Sequence, residues 1–246
     1  MSKFKSIQHA FFNKLGGKST GIFKSLNCGP NSSDNKKNIL KNLEIVSNKI
    51  KTKNKKIILL NQVHSNKFHY IGIHSKLNNK FEGDALVTDR KNIPIAILTA
   101  DCAPLLLYDD KKKMIAAIHA GWKGSYKDIV KKVVKFMIKK GCSSRNITAA
   151  IGPCISSNNY EVKENFIKKF IKKDKKNIIF FKKNKDKNYF SLNKYIHFQL
   201  NSLNIKKIDI INKDTFNIKN NLFSARRSIS RNENDYGRNI SIIVIN

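Results

Sequence analysis

The sequence predicts a mixed α/β fold that forms a single domain over residues 1–246. Short apolar runs of strand length occur along the whole chain, and only four stretches have helical periodicity. No internal repeat and no linker rich in Pro, Gly or Ser divides the chain. Because strands and helices do not alternate regularly, a mixed sheet is favoured over a doubly wound parallel sheet. A chain of 246 residues is long enough to bury a large core in one domain.

Ten short runs, either apolar throughout or alternating between apolar and polar residues, are predicted to be β-strands. They are residues 56–64, 68–73, 85–88, 95–99, 104–108, 114–119, 147–151, 178–181, 207–211 and 240–245. Most have the length of ordinary strands and are too short for buried helices.

Four stretches carry apolar residues on one face and are predicted to be helices, at residues 36–50, 126–140, 161–173 and 191–203. The stretch 126–140 is the clearest, because its valines and isoleucines share one face and its lysines the other. We expect Ser125 to cap its start and Gly141 to end it. Ser191 is the expected cap of the last helix.

The chain is strongly basic, with 49 Lys and Arg against 17 Asp and Glu and a net charge of +32. Such a charge first suggests a nucleic-acid-binding module. However, only six of the basic residues are arginine, which reads bases and phosphates better than lysine, and the lysines are dispersed. We therefore expect no nucleic-acid partner and a solvated surface that attracts small anions such as phosphate.

No apolar run approaches the roughly 20 residues needed to span a bilayer, and residues 1–12 lack an apolar stretch of signal-peptide length. We expect a cytoplasmic protein with no membrane partner, and no disulfides among Cys28, Cys102, Cys142 and Cys154. These cysteines contain no Cys-x-x-Cys pair, which excludes a zinc ribbon. Cys154 follows Gly-Pro in a turn and is expected to be packed, although a role as nucleophile is the alternative.

Five compact polar motifs lie between Asn61 and Cys154, each near the end of a predicted strand. They are Asn61-Gln62-Val63-His64-Ser65, Gly83-Asp84-Ala85-Leu86-Val87-Thr88-Asp89, Thr99-Ala100-Asp101-Cys102-Ala103-Pro104, His119-Ala120-Gly121-Trp122-Lys123-Gly124 and Gly152-Pro153-Cys154. Functional residues tend to lie on loops held by a rigid scaffold. Polar strand ends of this kind predict one shared pocket.

Three of these residues, His64, Cys102 and His119, are candidate metal ligands. Imidazole and thiolate are preferred zinc ligands, and three protein donors leave the fourth position open, as in catalytic sites. The alternative is that the three pack separately in the core. Asp84 and Asp101 are the predicted catalytic carboxylates, placed to orient a ligand histidine or contact a ribose hydroxyl. A turn or cap role is the alternative for both.

Substrate binding is assigned to four residues, Asn27, Asn61, Lys123 and Arg226. The glycine-flanked turn at residues 121–124 leads into a predicted helix, whose first N–H groups attract anions, and Lys123 adds charge. A plain tight turn fits the same pattern. Arg226 and Arg227, together with Arg238, are predicted to hold an anion, and a solvated pair is the alternative.

Taken together, these motifs resemble the YfiH or laccase-domain family, first described as multicopper polyphenol oxidases and later as purine nucleoside phosphorylases. The similarity begins at His9-Ala10-Phe11-Phe12 and Ser25-Leu26-Asn27-Cys28-Gly29, passes through the five motifs, and ends at Phe223-Ser224-Ala225-Arg226-Arg227 and Gly237-Arg238. It implies a β-sandwich-like core flanked by helices, and a zinc ion on His64, Cys102 and His119. At Ala225 the chain departs from a frequent aromatic, which bears on substrate preference.

The resemblance also implies the reaction, phosphorolysis of adenosine, inosine and methylthioadenosine, with some adenosine deamination. Purine nucleosides and phosphate are then the partners. A copper-dependent polyphenol oxidase is a rival, but six histidines are few for a multicopper enzyme. A hydrolase that edits peptidoglycan precursors is a second rival, and a basic nucleic-acid-binding module is a third. The oligomeric state stays open.

Overall fold

The computed structural model describes residues 1–52, 56–77 and 81–246, and within them it contains fourteen strands and six α-helices. The strands are β1 (Ile7–Phe11), β2 (Leu60–Asn61), β3 (Phe68–Ile71), β4 (Phe81–Glu82), β5 (Ala85–Thr88), β6 (Ile95–Thr99), β7 (Ala103–Asp109), β8 (Met114–Ala120), β9 (Ile147–Ile151), β10 (Glu161–Val162), β11 (Phe181–Asn184), β12 (Lys187–Phe190), β13 (Lys207–Ile210) and β14 (Asn239–Ile245). The helices are α1 (Lys36–Lys49), α2 (Trp122–Tyr126), α3 (Ile129–Lys139), α4 (Glu164–Lys173), α5 (Leu192–Ser202) and α6 (Ala225–Ser230). The predicted mixed α/β class is confirmed.

A six-stranded mixed sheet forms the centre of the molecule, in the order β13-β9-β7-β8-β5-β3. Its four inner strands pair antiparallel, and the edge strands β13 and β3 add in parallel. Every residue of β7 and β8 is buried, because both faces of these strands are covered. This burial on both faces explains why the two strands are apolar along most of their length.

A second sheet, with antiparallel order β1-β14-β6, packs against one face of the central sheet. Ile95, Ile97 and Ile243 meet Leu106 and Ile115 across the interface. The two sheets therefore enclose a β-sandwich-like core, as expected.

Helices cover the outer faces of both sheets. On the central sheet, side chains of α3 and α5 such as Val130, Val133 and Ile196 pack on Leu105 and Ile118. On the second sheet, α1 packs against β6 and β14. Four layers result, in the order helix, sheet, sheet, helix. None of the helices in the described residues is long and apolar enough to cross a membrane.

The predicted strand at residues 178–181 is wrong for three of its four positions. Residues Lys175–Phe180 form a 3₁₀ helix, and the strand β11 begins only at Phe181. The Asp174 side chain accepts a hydrogen bond from the Lys176 N–H at 2.9 Å, which starts this turn. Local capping therefore overrides the β-propensity of Ile178-Ile179-Phe180.

The predicted helix at residues 126–140 begins later than expected. Trp122–Tyr126 is a separate short helix, and α3 starts at Ile129 after Asp128, whose φ of 63° is left-handed. Ser125 belongs to the first helix and does not cap the second. Gly141, with φ of 92°, ends α3 as predicted.

Two other predicted boundaries also differ from the structure. The strand predicted at residues 56–64 shrinks to Leu60–Asn61, with an isolated bridge at Ile58. The helix predicted at 161–173 starts at Glu164, because Glu161–Val162 pairs with β12. The short, partly polar β1 and the polar hairpin β11–β12 gave no clear strand pattern.

Candidate metal centre and active-site cavities

Strand pairing brings three of the five polar motifs together at one end of the sandwich. Because β7 and β8 run antiparallel, with Ala103 opposite Ala120, the start of β7 lies beside the end of β8. Cys102 immediately precedes β7, and His119 is the penultimate residue of β8. Ala85, the first residue of β5, pairs with Ile118, so Asp84 is also adjacent.

His64, Cys102 and His119 each direct one donor atom to a common point, and these three atoms lie within 4.8 Å of one another. The distance from Cys102 Sγ to His64 Nε2 is 3.9 Å, and the two imidazole rings are 4.7 Å apart between centroids. His119 is buried, Cys102 is half-buried and His64 is exposed. Two imidazoles and a thiolate match the donor set of a catalytic zinc, so the three form a site that can bind a metal ion.

Asp84 fixes the orientation of two of the donors. Its Oδ1 lies 2.7 Å from Nδ1 of His119 and accepts the backbone N–H of His64 at 3.0 Å. Its Oδ2 accepts the N–H and hydroxyl of Ser65. With Nδ1 engaged, Nε2 is the nitrogen of His119 left to bind a metal, the usual arrangement of a carboxylate–histidine–metal chain.

The charges of these groups support one another. Burial acts to raise the pKa of the Cys102 thiol, but the charge of His119 and hydrogen bonds from both histidines outweigh it and lower the pKa to about 7. Burial acts to lower the pKa of His119, but the charge of Cys102 and the hydrogen bond to Asp84 raise the pKa to about 9. Burial also opposes ionisation of Asp84, yet His119 and Ser65 lower its pKa. The site is therefore set up to hold a thiolate, which is the ligand form of cysteine.

The loop that carries His64 is held by Gln62. Its side-chain amide donates to Leu98 O and accepts from Leu98 N, both at 2.7 Å, so it extends the ladder of β6. His64 itself has a left-handed backbone with φ of 56°, uncommon outside glycine. Gly121 completes the packing, because a Cβ there would lie 2.8 Å from Cys102 Sγ.

Two cavities meet at His64 and Cys102, two of the three donors. One, of about 180 Å³, includes Gln62, His119 and Arg238 in its wall, and the other, of about 290 Å³, includes Trp122 and Arg226. Both are lined by His64, Ala100, Cys102 and Tyr236. A ligand in either cavity would therefore reach the same metal position.

Residues 8–246 match the family model described as multi-copper polyphenol oxidoreductase laccase. The chain belongs to this laccase family. Its relatives include a purine nucleoside phosphorylase of Rickettsia prowazekii, 34% identical over 91% of this chain and 90% of the relative. Another, of Rickettsia conorii, carries the same name and is 35% identical over 85% of this chain and 88% of the relative.

Solved structures match the fold of this laccase-family chain along nearly its whole length. The YfiH protein of Bacillus licheniformis superposes with a TM-score of 0.91 and 26% identity, covering 100% of this chain and 95% of that one. YlmD of Geobacillus stearothermophilus gives a TM-score of 0.87 at 20% identity, covering 98% and 93%. The resemblance inferred from the motifs is confirmed.

The second predicted carboxylate of this laccase-family chain, Asp101, is buried beside Cys102 and lines the larger cavity. Its Oδ1 accepts the Thr215 hydroxyl and its Oδ2 the backbone N–H of Arg226, each at 2.6 Å. Burial raises its pKa in spite of hydrogen bonds from Ser224 and Thr215. Its left-handed φ of 85° is maintained by these contacts.

Two of the four predicted substrate-binding residues line the larger cavity. The Lys123 ammonium lies 5.8 Å from the Trp122 ring, and the Arg226 guanidinium lies 5.6 Å from the ring of Tyr160. Arg226 also donates to Glu161 O at 3.2 Å. Both cations therefore lie in the wall of a cavity that His64 and Cys102 also line.

The other two predicted substrate-binding residues, Asn27 and Asn61, line neither of these cavities. Asn27 is fully buried, its Nδ2 donates to Ser32 and Asp34, and its Oδ1 accepts the N–H groups of Gly29 and Arg238. It thus holds the loop of Arg238. Asn61 is exposed and accepts a hydrogen bond from Asn31, which does line a cavity.

The turn expected at residues 121–124 is instead the first part of α2, which Gly121 precedes in an extended conformation. Cys154 is buried and lies in the wall of a different cavity. Burial, followed by the charges of Cys102 and Asp214, raises its pKa to about 12, so it stays a thiol at neutral pH. This is the environment of an inert cysteine.

Sequence reasoning missed the roles of Gln62, Trp122, Tyr160 and Tyr236 in these cavities. Gln62 and Trp122 lie inside the polar motifs, so those motifs could have identified them. Tyr236 precedes the Gly-Arg pair that closes the family pattern. Tyr160 precedes β10 and no local pattern distinguishes it.

Proposed function

We propose that this chain is a zinc-dependent purine nucleoside phosphorylase whose ion is held by His64, Cys102 and His119. The observation that carries the proposal is the meeting of two cavities at this donor set, one of them bordered by two cations. Such an arrangement suits a reaction between two bound substrates, one of which is an anion. The names of the Rickettsia relatives support the same reaction.

In phosphorolysis, a phosphate oxygen bonds to the anomeric carbon of the ribose as the bond from that carbon to the purine nitrogen breaks. The products are ribose 1-phosphate and the free purine, which takes up a proton. When bound, zinc supplies a Lewis acid that neutralises negative charge on substrate oxygens. Cys102 contributes the one negative charge among the three ligands, and Asp84 keeps His119 oriented.

Lys123 and Arg226 are the groups proposed to bind phosphate. Arg226 is oriented by Tyr160, beneath its guanidinium, and by Glu161 O, which accepts from one of its terminal nitrogens. A guanidinium held in this way presents its other N–H groups in a fixed fork that matches phosphate. Lys123 adds a mobile charge from α2.

The nucleoside is proposed to occupy the space beside Tyr236 and Arg238. The Arg238 guanidinium lies 4.3 Å from the Tyr236 ring and donates to Asp235 at 2.9 Å, so both side chains are pre-oriented. An aromatic ring provides a face for a flat purine. Of the two aspartates, Asp101 lines the larger cavity and is the one proposed to contact substrate, while Asp84 acts as a positioning residue.

Zinc is proposed over copper because the described residues contain a single cluster of His, Cys, Asp and Glu with metal-binding spacing. A multicopper oxidase needs several such sites. Deamination of adenosine at the purine C6 position is a second candidate activity, because a zinc ion held by only three protein donors would be able to activate a water molecule. Adenosine, inosine and methylthioadenosine are the proposed substrates, and the cytoplasm is the proposed location.

The test is a nucleoside panel with and without phosphate, on protein whose zinc and copper contents are measured. We expect about one zinc per chain, and phosphate-dependent release of adenine with ribose 1-phosphate from adenosine. Equal adenine release without phosphate indicates a hydrolase, and inosine as the sole product indicates a deaminase. Stoichiometric copper with oxidation of a phenol would support the oxidase instead.

Two matched lysine variants, one in α2 and one just after it, test the phosphate assignment. Lys123→Ala is expected to raise the KM for phosphate about tenfold, the usual effect of losing one charge-assisted contact. Lys127→Ala removes an exposed lysine only four residues away that lines neither cavity, and it should leave that KM unchanged. Zinc content should be normal in both variants. An unchanged KM in Lys123→Ala would remove this residue from the phosphate site.

A further inference from the structure

Helix α6 separates the larger of the two catalytic cavities from a further cavity of about 320 Å³. Arg226 and Ile229 face the catalytic side, whereas Arg227, Ser228 and the following Arg231 face the other. The helical repeat explains this division, since positions three or four apart share a face. The two cavities have no lining residue in common.

This further cavity, which we name the cationic pocket, is lined by four basic residues and one acidic residue. The bases are Lys14, Lys24, Arg227 and Arg231, and the acid is Glu233. Burial and the charges of Arg227, Arg231 and Lys24 lower the pKa of Lys14, with Glu233 as a partial counterweight. Like charges gathered in a concave site repel one another in the free protein and attract an anion.

The four bases divide into a fixed one and three that are available. Arg227 is buried, and its guanidinium donates to the carbonyl oxygens of Thr215, Phe216 and Leu222. It therefore supplies a permanent positive field. The other three bases are Lys14, Lys24 and Arg231. Their charged groups make no hydrogen bond or ion pair with the residues that the structure describes.

The remaining wall of the pocket combines four apolar side chains with Ser25, Ser224 and Ser228. Phe223, Ile22, Ile218 and Leu15 line it, and the Lys14 ammonium lies 5.9 Å from the Phe223 ring. A free phosphate would engage the cations and leave this wall empty. Small-molecule sites typically combine such apolar walls with a few convergent polar groups, and a volume near 320 Å³ is at the lower end of their range.

We propose that the cationic pocket binds a phosphomonoester with a nucleoside-sized body, at a site separate from the metal centre. Lys14, Lys24 and Arg231 hold the phosphate, while the ring of Phe223 and the isoleucines contact the body. The site goes beyond the proposed function and does not depend on it, because binding there requires neither the metal nor turnover.

The experiment is calorimetric titration of the zinc-loaded protein at about 0.15 M salt, where weak surface attraction is screened. Adenosine 5′-monophosphate, ribose 5-phosphate and inorganic phosphate are the probes. Lys14→Met and Arg231→Gln are each expected to weaken binding of the nucleotide about tenfold. Lys131→Met, which removes an exposed charge from α3, is the matched control and should bind normally.

Arg226→Gln separates the two sites, because it removes a cation from the catalytic side of the same helix. We expect it to retain nucleotide binding. The proposal is overturned if Arg226→Gln abolishes nucleotide binding while Lys14→Met retains it, since the phosphate then binds only beside the metal. It is also overturned if no probe saturates, or if the Arg226→Gln variant binds inorganic phosphate as tightly as the nucleotide.

A stability measurement guards against a trivial loss of binding. Removing the half-buried charge of Lys14 relieves repulsion, so Lys14→Met without ligand should melt at or above the temperature of the unchanged protein. A functional site commonly gains stability when its binding charge is removed. If Lys14→Met melts well below the unchanged protein, Lys14 supports the fold and the assignment of a binding role is wrong.

Discussion

Asp84 is the residue on which the geometry of the candidate metal centre most depends. It is fully buried, and its two oxygens accept hydrogen bonds from His119, from the His64 N–H and from Ser65. It thus joins the loop of one ligand to the strand of another. A buried carboxylate is stable only with such partners, so its burial and its positioning role have the same cause.

Asp84→Asn should weaken zinc binding by about 10- to 100-fold, the usual effect of losing the carboxylate behind a ligand histidine. The amide is the same size but lacks the charge and offers one acceptor where the carboxylate offers two. Competition with a fluorescent chelator measures the affinity. Asp89→Asn, an exposed carboxylate just after the same strand β5, is the control. Equal affinity in both variants would show that Asp84 has no influence on the ligands.

Cys102 and Cys154 should respond oppositely to substitution. Cys102→Ala removes the one charged donor, so we expect zinc well below one per chain and loss of base release. Cys154→Ser should keep both, because that thiol is protonated and lines another cavity.

The double variant His64→Ala/His119→Ala should lose no more zinc and activity than the poorer of the two single variants, since the effects of residues that act as a unit are non-additive.

Zinc content and turnover are measured on the same samples. The opposite pattern, with Cys102→Ala active and zinc-loaded and Cys154→Ser inactive, would require a mechanism built on Cys154 as nucleophile.

At the scale of elements, Gly121 joins β8 to α2 at the candidate metal centre. Its missing side chain matters, because a Cβ would meet Cys102 Sγ at 2.8 Å and the His64 ring at 3.4 Å. Gly121→Ala is therefore expected to displace a ligand and lower zinc affinity at least tenfold. Chelator competition and thermal melting separate this effect from general destabilisation.

Gly21→Ala is the control for Gly121→Ala. Gly21 has a left-handed φ of 57° and nothing within 4 Å of an added Cβ, so alanine there strains the backbone without touching a ligand. Roughly 1 kcal/mol of stability should be lost with normal zinc binding. If the two variants have the same zinc affinity, the close contact at Gly121 does not govern the site.

The elements also show where sequence reasoning succeeds. The buried strands β5 to β9 were predicted within about a residue, because their apolar runs are covered on both faces. The polar motifs at their ends predicted a shared pocket, and pairing of β7 with β8 brings Cys102 and His119 together. Strand ends adjacent in a sheet meet whatever their separation in sequence.

What could not be predicted depends on contacts between distant segments. Asp128 interrupts the helical pattern of residues 126–140 by a left-handed backbone, and its side chain pairs with Lys173. Asn27 lies in a family motif, but its side-chain oxygen accepts a hydrogen bond from the backbone N–H of Arg238, more than 200 residues away. Residue type alone does not distinguish such a buried amide from one that faces a ligand.

At the scale of the whole molecule, the positive charge belongs to the outer surface of the four layers. On α3 the exposed side of the helix carries Lys131, Lys132, Lys135 and Lys139, while the opposite side packs on the central sheet. The charge of +32 therefore arises largely from lysines at solvent-exposed positions. Its general effect is to raise the local concentration of small anions.

This arrangement predicts that nucleic acids bind only weakly. Dispersed lysines contact phosphates without reading bases, and such contacts give dissociation constants of roughly 10⁻⁴–10⁻⁶ M at physiological salt. We expect fluorescence anisotropy with labelled DNA and RNA at about 0.15 M salt to stay within that range and to vary little with sequence. The Lys131→Met variant should behave almost as the unchanged protein, because no single lysine dominates. Saturable binding below a micromolar, or a large loss from that one substitution, would instead identify a nucleic-acid surface that includes α3.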